Sequence, residues 1–230
     1  RATARDVSTS LIESIAEPFV IDDHAMTIGL SVGASFYPTD ARDHRDLILA
    51  ADLAMAEVKR NGRGASLEYS ETLSLVQRRR FELGRALGAA IENDELFLEY
   101  QPIVDCSTGR IDAFEALARW RHPTLGEITP AEFIELAETT DRINALGDLV
   151  LEKACREAAT WPCSDHAPKV AVNVSVKQLR DETFAVKVMG ILARAKLPPG
   201  RLEIEVTESL FETDHQAIIK QTISSLRALG

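Results

Sequence analysis

Two textures of apolar spacing meet near residue 80 of this chain. Before it, Leu11, Ile12 and Ile15 share one helical face, while Phe19-Val20-Ile21 and the run from Met26 to Tyr37 read as extended segments paired through a turn at Asp22-Asp23. From about His44, the residues Leu47, Ala51, Met55 and Val58 recur at helical spacing, and Asn61-Gly62 supplies the stop. Between Glu71 and Asn93, Leu83, Leu87 and Ile91 repeat every fourth residue behind Arg78-Arg79-Arg80. The pattern predicts a helix that joins two domains, with the basic run as a solvated face.

After Asn93 strands and helices alternate, which predicts parallel βα units rather than an antiparallel sandwich. Leu96 to Val104 and Arg110 to Trp120 are the first strand candidates. Thr129-Pro130-Ala131-Glu132 combines an N-cap, a proline at the first helical position and a capping-box glutamate, so a helix begins there. A longer helix is expected from about Ile143 to Ala159 and a buried strand from Lys169 to Val174. Phe184, Val188, Ile191, Leu192 and Ala195 mark another helix, ended by Pro198-Pro199-Gly200. A strand from Arg201 to Val206 and a helix from about Asp214, capped by Thr213, complete the series.

Composition narrows the function classes. With 45% hydrophobic residues among 230, the chain can build buried cores. A net charge of −10 disfavours a nucleic-acid polymer or an anionic membrane as partner, since both reward clustered Lys and Arg. A small ligand, assisted by a cation, fits better. Cys106, Cys155 and Cys163 form no CxxC pair, so reduced cytosolic thiols are expected rather than a disulfide framework or a zinc site. No run approaches the roughly 18 apolar residues of a membrane helix. His24, His44, His166 and His215 have no ligand spacing and read as surface or structural residues.

Ionisable and amide residues inside the strand candidates carry the chemistry. A parallel sheet covered on both faces should have apolar strands, yet Glu115, Asn173 and Glu205 stand near the C-terminal ends of three of them. Two carboxylates and an amide oxygen form an all-oxygen set that suits a hard cation, Mg2+ or Mn2+, better than zinc. Ordinary strand-end residues meeting solvent or a neighbouring Lys or Arg would give the same spacing. Arg119-Trp120-Arg121-His122 follows Glu115 as a basic cluster, fit to grip a phosphate or to form a solvated salt-bridge strip.

Four segments resemble the successive motifs of EAL domains: Tyr100-Gln101-Pro102-Ile103-Val104, Glu115-Ala116-Leu117-Ala118-Arg119-Trp120-Arg121-His122-Pro123, Val172-Asn173-Val174-Ser175 and Leu202-Glu203-Ile204-Glu205-Val206-Thr207-Glu208-Ser209. The resemblance covers about Phe81 to Gly230. It implies a TIM-like (β/α) barrel that opens cyclic-di-GMP to the linear dinucleotide with Mg2+ or Mn2+, and a family that commonly forms homodimers. Glu115, Asn173 and Glu205 would be metal ligands, Gln101 and Arg119 substrate contacts, and Glu208 a support for a later loop. The family's remaining motifs, an aspartate pair, a lysine and a further glutamate, would fall after Gly230. The 230 residues alone are therefore expected to be inactive.

The first stretch resembles the C-terminal part of a GGDEF domain, the α/β diguanylate cyclase fold. Ser31-Val32-Gly33-Ala34-Ser35-Phe36-Tyr37-Pro38, Ala51-Asp52-Leu53-Ala54-Met55 and Lys59-Arg60-Asn61-Gly62-Arg63 carry the likeness, with Ala56 where that family usually has Tyr. Lys59 and Arg63 match its nucleotide-phosphate contacts; basic residues at a helix C-terminus also suit the macrodipole. The expected organisation is the end of a GGDEF domain over 1–70, a helical linker over 71–92, and the first half of an EAL barrel over 93–230. A module of this kind that binds cyclic-di-GMP or a protein partner without cleaving it is the alternative reading.

Overall fold

Asp43 caps the start of one helix of this chain, and apolar stripes decide which helix faces are buried. The computed structural model describes residues 2–22, 24–162, 167–206 and 216–230. Two compact units are formed, Arg1–Glu82 and Leu83–Gly230. The first holds α1 (Ala2–Ser14), β1 (Phe19–Ile21), β2 (His24–Met26), β3 (Val32–Ala34), α2 (His44–Arg60), β4 (Ser66–Glu68) and the beginning of α3 (Glu71–Glu92). β1 and β2 form the expected antiparallel hairpin. The run from Met26 to Tyr37 is not one extended segment: Met26 ends β2, and beyond it only Val32–Ala34 is strand, paired parallel with β4. That partner follows α2 in the chain, so no local pattern announces it.

At the start of α2, Asp43 accepts the N–H groups of Arg45 and Asp46 at 2.8 and 2.9 Å. The bond from the Asp46 N–H is the chief cause that holds its carboxyl below the ordinary range. Ala50, Ala54 and Val58 line the buried side of the helix. β3 passes so close to that helix that a Cβ on Gly33 would lie 2.0 Å from the Ala51 carbonyl oxygen and 2.4 Å from the Met55 nitrogen. Near the end of α2, Glu57 accepts from Gln77 Nε2 at 2.7 Å and Asn61 Nδ2 at 3.1 Å, and pairs with Arg60 and, at 3.6 Å, with Arg80. The basic run is therefore not uniformly solvated: Arg78 is 78% exposed and pairs with Glu82, whereas the Arg80 side chain is 24% exposed and turns to Glu57.

The second unit contains the rest of α3, then β5 (Leu96–Val104), β6 (Ile111–His122), β7 (Gly126–Ile128), α4 (Pro130–Thr139), α5 (Ile143–Ala158), β8 (Lys169–Val174), α6 (Val176–Leu179), α7 (Phe184–Ala195), β9 (Leu202–Val206) and α8 (Gln216–Leu229). Its sheet runs β5-β6-β8-β9, with β7 added to β6. β6, β8 and β9 are parallel as expected, but β5 and β6 are an antiparallel pair. The short connection after Val104 permits that hairpin, whereas a parallel crossover needs a dozen or more residues. Thr129 precedes α4 and Pro130 opens it, yet no side-chain cap bond forms; the Glu132 and Phe133 N–H groups meet the Thr129 carbonyl instead. The cap expected at Thr213 and the helix start expected at about Asp214 lie outside the described residues.

Alternation along the strands separates two faces. Val170, Val172 and Val174 of β8 join Ala116 of β6 in one apolar cluster with Leu151, Ala154, Cys155 and Ala158 of α5 and Phe184, Val188 and Ile191 of α7. Leu83, Leu87 and Ala90 of α3 enter a second cluster with Leu96, Trp120, Phe133 and Leu146. Burial pushes the Cys155 thiol up to about 11, which fits an inert core residue. Arg201 closes the lower end of the sheet by donating to the Pro168 and Ala158 carbonyls at 2.8 and 3.1 Å.

The approach at Gly33 yields a test. Gly33→Ala must push β3 away from α2, an overpacking expected to cost about 1–3 kcal/mol. Hydrogen exchange of α2 amides in the full-length protein should quicken by the matching factor while β8 amides keep their rates. Unchanged α2 protection would refute the close approach.

Candidate functional site

The strand positions that do not enter the apolar clusters bring the polar residues together. Gln101 of β5 stands opposite Glu115 of β6, Glu115 pairs with Ala171 of β8, and Asn173 of β8 stands opposite Glu205 of β9. With a period of two, all of these project on the face away from Val170, Val172 and Val174. Asn173 Nδ2 donates to Glu115 Oε1 at 2.7 Å across the neighbouring strands. The Glu205 carboxyl is pushed above its ordinary range, first by burial and then by the negative charges of Glu115 and Glu203. Glu115, Asn173 and Glu205 thus converge although 58 residues separate the first two.

Glu115 lies in the middle of β6, not at its C-terminal end as the spacing predicted. The reason is that β6 outruns the parallel sheet. Its pairing with β8 covers only Ala113–Ala116, and beyond that it forms an antiparallel arm whose Trp120, Arg121 and His122 pair with β7. Measured against β8, Glu115 still stands one residue from the upper limit of the parallel part.

Arg119 shares the face of Glu115, four residues further along. Its Nε donates to Glu99 Oε2 at 2.7 Å and its Nη1 to the Ala118 carbonyl at 3.0 Å, which leaves the Nη2 edge uncommitted among the described residues. The basic cluster is also not one strip, because Arg121 turns to Glu127 at 3.0 Å. A cavity of about 500 Å3 opens beside Arg119 and Asn173, walled by Phe133, Ile134, Leu146 and Gln178 among others.

Sequence reasoning missed Glu99, Glu203 and Gln178. The first two could have been found from the period alone, since Glu99 alternates with Gln101 and Glu203 with Glu205. Gln178 is marked locally only as the third helical residue of a capping box, Ser175-Val176-Lys177-Gln178, which says nothing of its contact with Gly147. Lys59 and Arg63 belong to the first unit, exposed at the end of α2 and in the turn after it, and not to this sheet. Glu208 lies outside the described residues.

The donor set passes a chemical test for a cation. Two carboxylates and a carboxamide turned toward one another offer only hard oxygen ligands, and the repulsion acting on Glu205 is the kind that a divalent ion relieves. Burial of Glu205, added to that repulsion, predicts a pH effect without metal. Glu205 holds its proton more tightly folded than unfolded, so the stability it contributes is complete below about pH 4.5 and is lost as pH rises past the raised value. In chelator, Glu205→Gln should melt about 1–3 °C above wild type at pH 7 and converge with it near pH 4. A variant that melts at or below wild type at pH 7 would overturn that reading.

Comparison with known proteins follows the same division of the chain. The EAL domain model matches residues 84–230, and the model named diguanylate cyclase, GGDEF domain, matches residues 2–65. An uncharacterized signaling protein of Caulobacter vibrioides is 38% identical over 229 residues, which are 100% of this chain and 28% of that protein. The bifunctional diguanylate cyclase/cyclic di-GMP phosphodiesterase MucR of Pseudomonas aeruginosa is 34% identical over 228 residues, 98% of this chain and 33% of its own length. The chain thus spans about a third of the length of these curated relatives. Among solved structures, the PaMucR phosphodiesterase in complex with c-di-GMP aligns with a TM-score of 0.60 and 38% identity, covering 65% of this chain and 60% of that one. With its polar sheet face and the family match both in hand, the chain belongs to the EAL domain family and carries the end of a GGDEF domain ahead of it.

Proposed function

We propose that this chain is part of a phosphodiesterase that hydrolyses cyclic-di-GMP to the linear dinucleotide with Mg2+ or Mn2+. The observation that carries the proposal is the convergence of Glu115, Asn173 and Glu205 on one sheet face, with Asn173 and Arg119 lining one cavity. MucR, described as a diguanylate cyclase and cyclic di-GMP phosphodiesterase, and NbdA, a cyclic di-GMP phosphodiesterase 34% identical over 227 residues, support the same chemistry.

In this reading Glu115 and Glu205 hold the cation through carboxylate oxygens, and Asn173 turns its Oδ1 to it. When bound, the cation lowers the pKa of a coordinated water and takes up charge that develops on the phosphate. Arg119 offers its free edge to a phosphate oxygen while Glu99 fixes the plane of the guanidinium. Gln101, opposite Glu115, holds the substrate close to the carboxylates. Glu208 steadies a loop. The GGDEF part is regulatory or a second, cyclase activity, with Lys59 and Arg63 as phosphate contacts. Residues 71–92 link the two domains, the protein acts in the cytoplasm, and the EAL part forms homodimers.

The test uses the full-length protein, manganese and cyclic-di-GMP. Glu115→Ala should lower turnover by more than about a hundredfold, beyond the loss typical of outer-shell changes. Arg119→Lys should raise KM about tenfold, because a point charge replaces a planar fork. Tight cyclic-di-GMP binding without any hydrolysis by the wild type would instead favour a receptor.

A further inference from the structure

We infer that Gln178, pressed against Gly147, is a positioning residue that fixes Asn173 for cation binding; the inference rests on reading Glu115, Asn173 and Glu205 as a cation site. Asn173 is exposed, and among the described residues its side chain bonds to Glu115, a group the cation would itself engage. Something other than that bond has to hold the strand end in place.

β8 ends at Val174 and the chain turns at Ser175 into α6. The first backbone donor of the turn, the Ser175 N–H, gives its hydrogen to Gln178 Oε1 at 3.1 Å. Gln178 is only 3% exposed, and its Nε2 has no acceptor among the described residues. A buried carboxamide that is half satisfied is a poor filler, because leucine would occupy the space without desolvating an amide. What the carboxamide supplies and leucine lacks is the acceptor for Ser175.

The other side of the contact is equally specific. Gly147 sits inside α5, where glycine is disfavoured relative to alanine. A Cβ there would lie 2.0 Å from Gln178 Nε2, 2.6 Å from its Cδ and 2.8 Å from its Oε1. Two locally unfavourable residues therefore meet at one contact, and each makes room for or braces the other. α5 in turn packs its Leu151, Ala154 and Cys155 on Val170 and Val172 of β8. The turn is thereby braced on the same helix that supports the strand, two residues beyond Asn173, and adds to the hold that pairing with β9 gives the strand end.

The experiment measures Mn2+ affinity of the full-length protein by electron paramagnetic resonance of the free ion, alongside melting in chelator. Gln178→Leu keeps the volume and removes the acceptor. Its Kd for Mn2+ should rise about tenfold, in the range that supporting residues command, while metal-free melting shifts by no more than about 3 °C. Gly147→Ala should raise the Kd similarly, and the double variant should be no worse than either single one, because both remove one contact. A wild-type Kd in Gln178→Leu, or fully additive losses, overturns the inference and leaves the proposed function standing. If Gln178→Leu does not fold, Gly147→Ala carries the same prediction and the same refutation. Weaker cyclic-di-GMP binding in chelator with an unchanged Mn2+ Kd would make Gln178 a substrate contact and overturn the positioning role. A wild type that binds no Mn2+ overturns this inference and the proposed cation site together.

Discussion

Register between β8 and its two neighbours governs the second unit. Pairing Asn173 with Glu205, and Ala171 with Glu115, places every even-numbered valine of β8 against α5 and α7 and every odd-numbered polar residue on the opposite face. A slip of one residue would exchange the faces, burying an amide and a lysine among helices and exposing three valines. The apolar cluster and the polar site are thus two consequences of one alignment, and neither can be altered without the other.

That arrangement carries an electrostatic cost in the absence of ligands. Glu115, Glu203 and Glu205 face the same space, and burial together with that repulsion makes the Glu205 carboxyl keep its proton to higher pH. Some relief comes from within: Asn173 donates to Glu115, Lys169 approaches Glu203 at 3.6 Å, and Arg119 takes Glu99. The relief is uneven, since the lysine lies at the start of β8 and Glu205 near the end of β9. The residual repulsion is concentrated where a cation would gain most.

Backbone proximity plays a matching part in both units. Gly33 lets β3 touch the backbone of α2, and Gly147 lets the Gln178 carboxamide rest on α5. In the first unit Glu57 gathers Gln77 and Arg80, so the opening turns of α3 are tied to α2 by directed bonds; its later turns contribute Leu83 and Leu87 to an apolar core. A single helix is held by polar contacts at one end and by burial at the other.

The sequence was enough to determine α2, α3, α5, α7, β5 and β8 nearly to the residue, because apolar spacing and local start and stop residues mark where each element begins and ends. It also singled out Glu115, Asn173 and Glu205 as polar residues in strands, and the ordered motifs around them identified the family. What the sequence left undecided is pairing. The antiparallel start of the sheet, the parallel partner of β3, the extension of β6 past Glu115, the turn of Arg80 toward Glu57 and the contact of Gln178 with Gly147 all join segments that the local pattern treats as independent. Side-chain period reports how one segment meets its surroundings, whereas the identity of those surroundings is fixed only when distant strands and helices close on one another.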